Sequence, residues 1–119
     1  MKPVVEMKWI TSRKSAPDQA EVFIDGICSC ICTIYNNGKA EILVIDNVKT
    51  KEEYRNNGYG TALINHVLMM AKEWKIDSVE LVVNSDNEVA KRLYDKIGFK
   101  KTEKEHYRIL LNEWTSQQP

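Results

Sequence analysis

A chain of 119 residues accommodates one domain and leaves no room for a second core of useful size. Apolar residues make up 43% and charged residues 29%, the balance of a globular chain rather than a disordered one. Seventeen basic residues offset seventeen acidic ones, so no global field draws in nucleic acid or a membrane surface.

Val4 to Ile10 interleaves Val5, Met7 and Trp9 with Glu6 and Lys8, which predicts a half-buried strand. Met1 to Ser15 carries no signal-peptide apolar block, and no run reaches the ~20 apolar residues of a membrane span. A cytoplasmic location is the default expectation. Residues 11–18 read as a loop. Glu21 to Ile24, the turn pair Asp25-Gly26 and the run Ile27 to Tyr35 predict a hairpin, because Asp-Gly accepts the positive φ of tight turns. Cys28, Cys30 and Cys32 then share one strand face. Their odd count and spacing suit neither a disulfide framework nor paired-cysteine zinc patterns, so they are expected to be small buried side chains, with metal binding the lesser alternative. Asn36-Asn37-Gly38 repeats the turn signal, and Ala40 to Thr50 closes a four-stranded antiparallel meander.

Beyond Gly60 the period changes. Leu63, Val67, Met70 and Trp74 recur at helical spacing, widened by Ile64, Leu68 and Ala71, which reads as a helix with a core-facing stripe. Ser78 to Val83 is expected to be a buried strand. Ser85 and Glu88 fit a capping box for a second helix, with Val89, Ala90, Leu93, Tyr94 and Ile97 on its apolar side and Gly98 at its end. Phe99 to Thr102 and His106 to Leu111 suggest two closing strands, and residues 115–119 a frayed tail. The fold class is therefore α+β with a mixed sheet.

Arg55-Asn56-Asn57-Gly58-Tyr59-Gly60 joins a strand to a helix N-terminus, where free amides and a partial positive charge hold phosphate groups. The glycine pair alone also fits a tight turn without a ligand. A dinucleotide fingerprint is excluded because Leu63 stands where its third glycine belongs, and no parallel strand-helix-strand unit is expected here. A nucleoside-triphosphate loop lacks its Gly-Lys-Ser/Thr ending.

The stretch from Ile45 to Leu63, with Arg55-Asn56-Asn57-Gly58-Tyr59-Gly60 inside it, resembles the acetyl-CoA segment of the GNAT superfamily of N-acetyltransferases. Asn87 to Phe99, about 25 residues later, resembles that family's second block, Asn-x-x-Ala-x-x-Leu-Tyr-x-x-x-Gly-Phe. The resemblance implies a mainly antiparallel sheet of six to seven strands, two main helices, and acetyl transfer to an amine by direct attack in a ternary complex. It implies that main-chain groups of Val48 and Thr50 pair with the pantetheine arm. The amides of Arg55, Asn56, Asn57, Gly58, Tyr59, Gly60 and Thr61 would hold the pyrophosphate, and Asn87 the pantetheine amide region. It places Tyr94 beside the thioester sulfur, where a phenol can serve as the acid. A core tyrosine is the alternative. Asp46 is the candidate base, with Glu41 and a water chain as competitors and a solvated strand-end acid as the alternative. The Val48 amide is a candidate oxyanion donor. His66 and His106 fall at no family catalytic position, and no histidine is placed to activate a cysteine. The basic cluster Lys91, Arg92, Lys96, Lys100 and Lys101 could meet the coenzyme's 3′-phosphate or form a solvated face. No metal is implied. A non-catalytic acyl-CoA-binding module is the competing functional reading.

Most relatives place one or two helices after the first strand, where this chain has only residues 11–20. The N-terminal helices are thus expected to be reduced or missing. The acceptor pocket would then be open to a large acceptor, such as a protein amine, or completed by another subunit in a homodimer.

Overall fold

The computed structural model describes residues 4–11, 18–84, 86–103 and 106–114. Four strands open the chain: β1 (Glu6–Thr11), β2 (Asp18–Ile24), β3 (Cys28–Asn36) and β4 (Glu41–Thr50). Helix α1 (Tyr59–Glu73), strand β5 (Ser78–Val82) and helix α2 (Glu88–Ile97) follow, before β6 (Lys100–Glu103) and β7 (His106–Leu110). The seven strands form one sheet in the order β1-β2-β3-β4-β5-β7-β6, antiparallel except where β4 pairs with β5.

The hairpins form where the turn residues dictate. Gly26 and Gly38 sit at φ 72° and 88°, and the Asn37 side-chain oxygen accepts the amides of Lys39 and Ala40 at 2.9 and 2.8 Å. Period-2 alternation then puts Val22, Cys30, Ile45, Leu81 and Tyr107 on one sheet face. Both helices cover that face, with Leu63, Ile64, Val67 and Leu68 of α1 and Tyr94 and Ile97 of α2 in one core. Cys28, Cys30 and Cys32 are buried there as free thiols. The reverse face, with Ile31, Val44 and Glu80, is only half-buried. There the Arg108 Nε donates to Glu80 Oε2 at 3.2 Å.

Three expectations need correction. β4, α1 and β5 do form a parallel strand-helix-strand unit, with Ile42 to Ile45 in register with Ser78 to Leu81. The crossover helix carries the chain back to the starting end of β4, so its neighbour must run in the same direction. The N-cap of α2 is Asn87, whose side chain accepts the Ala90 amide at 3.1 Å, and Ser85 lies outside the described residues. Val89 belongs to no core stripe: it is 70% exposed, because α2 turns that side toward the groove described below. The six positions 12–17 between β1 and β2, and the tail 115–119, also lie outside the described residues.

Candidate functional site

The site begins where two parallel strands part. β4 stays paired with β3 as far as Thr50 opposite Cys28, yet it pairs with β5 only as far as Ile45 opposite Leu81. Beyond that point the side of β4 that faced β5 has no strand partner among the described residues, and its main-chain groups are open to an extended ligand. A bulge helps to turn it. Asp46 pairs with Ile31 and Lys49 with Ser29, so Asn47 and Val48 together face Cys30, with Asn47 in left-handed geometry at φ 56°. Two hollows meet at this fork. A groove of ≈ 970 Å³ runs past Val48, Thr50, Arg55, Gly58 and Thr61, and a cleft of ≈ 170 Å³ lies between Asp46, Asn47, Leu81 and Val83. Val48, Asn87, Ala90 and Tyr94 line both.

At the far end of the groove the chain makes a 3-10 turn (Glu52–Tyr54) and enters α1 with Gly58 as N-cap. No side chain among the described residues caps that terminus, so its first amides remain available to an anion. Asn56 and Gly58 hold φ of 65° and 81°, and a Cβ on Gly58 would meet nothing within 4 Å, which leaves open space in front of the amides. The turn is braced from within. Arg55 Nε donates to the Thr50 carbonyl at 3.2 Å, and Asn57 Nδ2 donates to the carbonyls of Tyr54 and Arg55 at 3.2 and 3.0 Å. The Asn57 side chain is thus occupied in holding the loop. Gly60 lies inside the first turn of α1, where a Cβ would stand in ordinary contact, 3.6 Å, with Leu93 Cδ2 of α2.

The opposite wall comes from α2. Asn87 caps that helix with Oδ1, and its Nδ2 makes no hydrogen bond to the described residues. Two turns later Tyr94 is 5% exposed, with its ring edge-on to Phe99. Burial, and then the neighbouring Cys30, push the Tyr94 hydroxyl up to about 12. The phenol therefore keeps its proton at any physiological pH, in the form that can donate a hydrogen bond. The Cys30 thiol is itself pushed up by the neighbouring Cys32 and by burial, which makes it a poor nucleophile.

Of the remaining candidates, Asp46 lies on the rim of the small cleft and is exposed rather than desolvated, because the bulge beside it opens the strand to water. Glu41 lies at the other end of β4, where its main chain pairs with Asp77, and lines neither hollow. His66 is half-buried within α1, and His106 is exposed opposite Val82. None of the basic cluster from Lys91 to Lys101 lines the groove, and Lys91 pairs with Glu88 at 3.3 Å. The groove takes its positive charge from Lys49, Lys51 and Arg55 instead. Sequence reasoning missed the two lysines, although their placement on either side of Thr50 at the end of a strand was the available signal. It also missed the apolar wall of Val89 and Leu93. No group of metal-ligating side chains occurs among the described residues.

Comparisons with known proteins agree with this architecture. The pattern of the acetyltransferase (GNAT) family matches residues 11–99. An uncharacterized N-acetyltransferase of Methanocaldococcus jannaschii is 35% identical over 79 residues, covering 66% of this chain and 35% of the relative. The chain thus spans about a third of that relative's length. Among solved structures, the ribosomal-protein-S18-alanine N-acetyltransferase from Escherichia coli superposes with a TM-score of 0.71 at 11% identity, covering 98% of this chain and 99% of the other. Arabidopsis thaliana NAA60 in complex with acetyl-CoA gives a TM-score of 0.69 at 15% identity, covering 92% and 99%. At such identities the structures share the fold.

Proposed function

Since the chain belongs to the acetyltransferase (GNAT) family, we propose that it transfers the acetyl group of acetyl-CoA to a primary amine by direct attack in a ternary complex. The observation that carries this reading is the continuous groove from the strand-free side of β4 to the uncapped N-terminus of α1. A strand-like arm ending in a pyrophosphate matches it group for group. The likeness in fold to a neighbour solved with acetyl-CoA supports the same ligand.

When bound, acetyl-CoA supplies a thioester: the amine nitrogen forms a bond to the acetyl carbon, the carbon–sulfur bond breaks, and the coenzyme leaves as its thiolate. The residues of this chain do the rest. Main-chain groups of Val48 and Thr50 align the arm, and the amides from Arg55 to Thr61 hold the pyrophosphate. Lys49 and Lys51 add charge along the groove. Asn87 Nδ2 is left to bind an acceptor atom of the arm. The Val48 amide faces the developing oxyanion. Tyr94 donates its O–H to the departing sulfur. Asp46, exposed at the rim, attracts the cationic amine and passes its proton to water.

On the reverse face of the sheet, next along β4 from the half-buried Val44, Asp46 is exposed. An open approach of that kind suits an amine carried on a peptide or protein as well as a small one. A second reading, a non-catalytic acyl-CoA-binding module, draws on the burial and edge-on packing of Tyr94, which also befit a core tyrosine.

Calorimetric titration with acetyl-CoA tests the coenzyme half of the proposal, with micromolar binding expected. No heat at millimolar coenzyme would end it. Release of coenzyme thiol in the presence of N-terminal peptides, lysine peptides or polyamines tests the transfer.

A further inference from the structure

The two edges of the sheet are built differently. β6 is four residues long, fully exposed and carries Lys100 and Lys101, a short charged edge of the kind that discourages pairing. β1, at the other end, pairs only with β2 among the described residues and leaves its outer main-chain groups free. It is not defended in the same way. Met7 and Trp9, on the helix-side face, are 37% and 49% exposed, and Val5 is half-buried beside them. Trp9 stacks on Trp74 at 5.8 Å, which fixes its ring while leaving about half of it in water.

We propose that this edge pairs antiparallel with β1 of a second copy of the chain, about a two-fold axis at Met7. The sequence around Met7 is self-complementary in that register. Met7 meets the partner's Met7, Glu6 meets the partner's Lys8, and Val5 meets the partner's Trp9. Two ion pairs then lie on one face, and an unbroken apolar stripe of Val5, Met7 and Trp9 from each copy lies on the other. A register centred on Lys8 would set lysine against lysine. The run stops where β1 bulges, between Trp9 opposite Ala20 and Thr11 opposite Gln19. The dimer joins two seven-stranded sheets edge to edge, with the helices of both copies on the same side. It leaves the β4–β5 fork free, so it stands independently of the acetyl-transfer proposal.

Light scattering after size exclusion, at on the order of 0.1 mM protein, is expected to give twice the mass of the chain. Lys8→Glu sets a carboxylate against the partner's Glu6 twice over and is expected to weaken the dimer roughly tenfold or more, with an unchanged far-ultraviolet spectrum. Reversing both charges in Glu6→Lys/Lys8→Glu is expected to restore it. A monomeric native chain, a dimer indifferent to Lys8→Glu, or a double variant that stays monomeric each overturns the proposal.

Discussion

Tyr94 and Phe99 stand edge to face with ring centroids 5.7 Å apart, and the Phe99 amide returns to the Tyr94 carbonyl at 3.0 Å. The phenol ring is thereby fixed by packing and main chain, with its hydroxyl as the part left over for chemistry. Tyr94→Phe keeps the ring and both contacts. Coenzyme affinity is expected to stay within about threefold, while turnover falls about ten- to a hundredfold, the worth of one hydrogen bond to a developing charge. Steady-state rates beside a calorimetric titration check this. Undiminished turnover would assign Tyr94 to the core.

The same hydroxyl carries a signature in stability. Its ordinary value is near 10 in the unfolded chain, and burial raises it to about 12 in the fold. The folded protein therefore holds a proton that the unfolded chain releases between those values. Stability is unaffected by this group below about pH 10 and falls as pH rises towards about 12, by at most about 3 kcal/mol. Denaturant unfolding at about pH 9 and about pH 11 should show a steeper loss for the native chain than for Tyr94→Phe. Equal slopes would mean that the hydroxyl reaches water.

The two glycines of the turn should respond with opposite signs. Gly58 holds φ 81° with free space around it, so Gly58→Ala is destabilised by backbone strain alone, about 1–2 kcal/mol. Gly60 is already helical, and an added Cβ meets Leu93 at ordinary contact distance. Gly60→Ala should gain about 0.5 kcal/mol from the lost freedom of the unfolded chain. Thermal unfolding of the two variants decides the matter.

Asn87 does two jobs with two atoms, and paired substitutions separate them. Asn87→Ala loses the cap on α2 and about 1 kcal/mol of stability. Asn87→Asp retains an oxygen for the Ala90 amide, so stability should change by only a few tenths of a kcal/mol, but it removes the Nδ2 donor. Its affinity for acetyl-CoA should fall about tenfold. An aspartate variant that binds normally would show that Asn87 serves the helix alone.

Much of the architecture was legible because local chemistry determines it. The Asp25-Gly26 and Asn37-Gly38 turns and the alternation of Val22, Ile24, Cys28 and Cys30 mark strands wherever they end up. The spacing of Leu63, Val67 and Ala71 likewise admits only a helix. What depended on partners was harder to read. The parallel pairing of β4 with β5 arises from the crossover of α1, and nothing in the residues of β4 states it. Asn47, an asparagine in a run of strand formers, was the trace of the bulge, yet its effect on Asp46 needs the neighbouring strand. Ser85 and Asn87 are both good caps two residues apart, and only the helix start at Glu88 chooses between them.

The buried ladder of Cys28, Cys30 and Cys32 has a practical consequence for experiment. Two of the three, Cys28 and Cys30, hold their protons more tightly than an ordinary thiol, and all three lie under the helices. A thiol-trapping dye added to a working sample will therefore colour with released coenzyme and leave the folded protein silent. Without coenzyme, the slow reaction that remains times how often the helix layer lifts from the sheet.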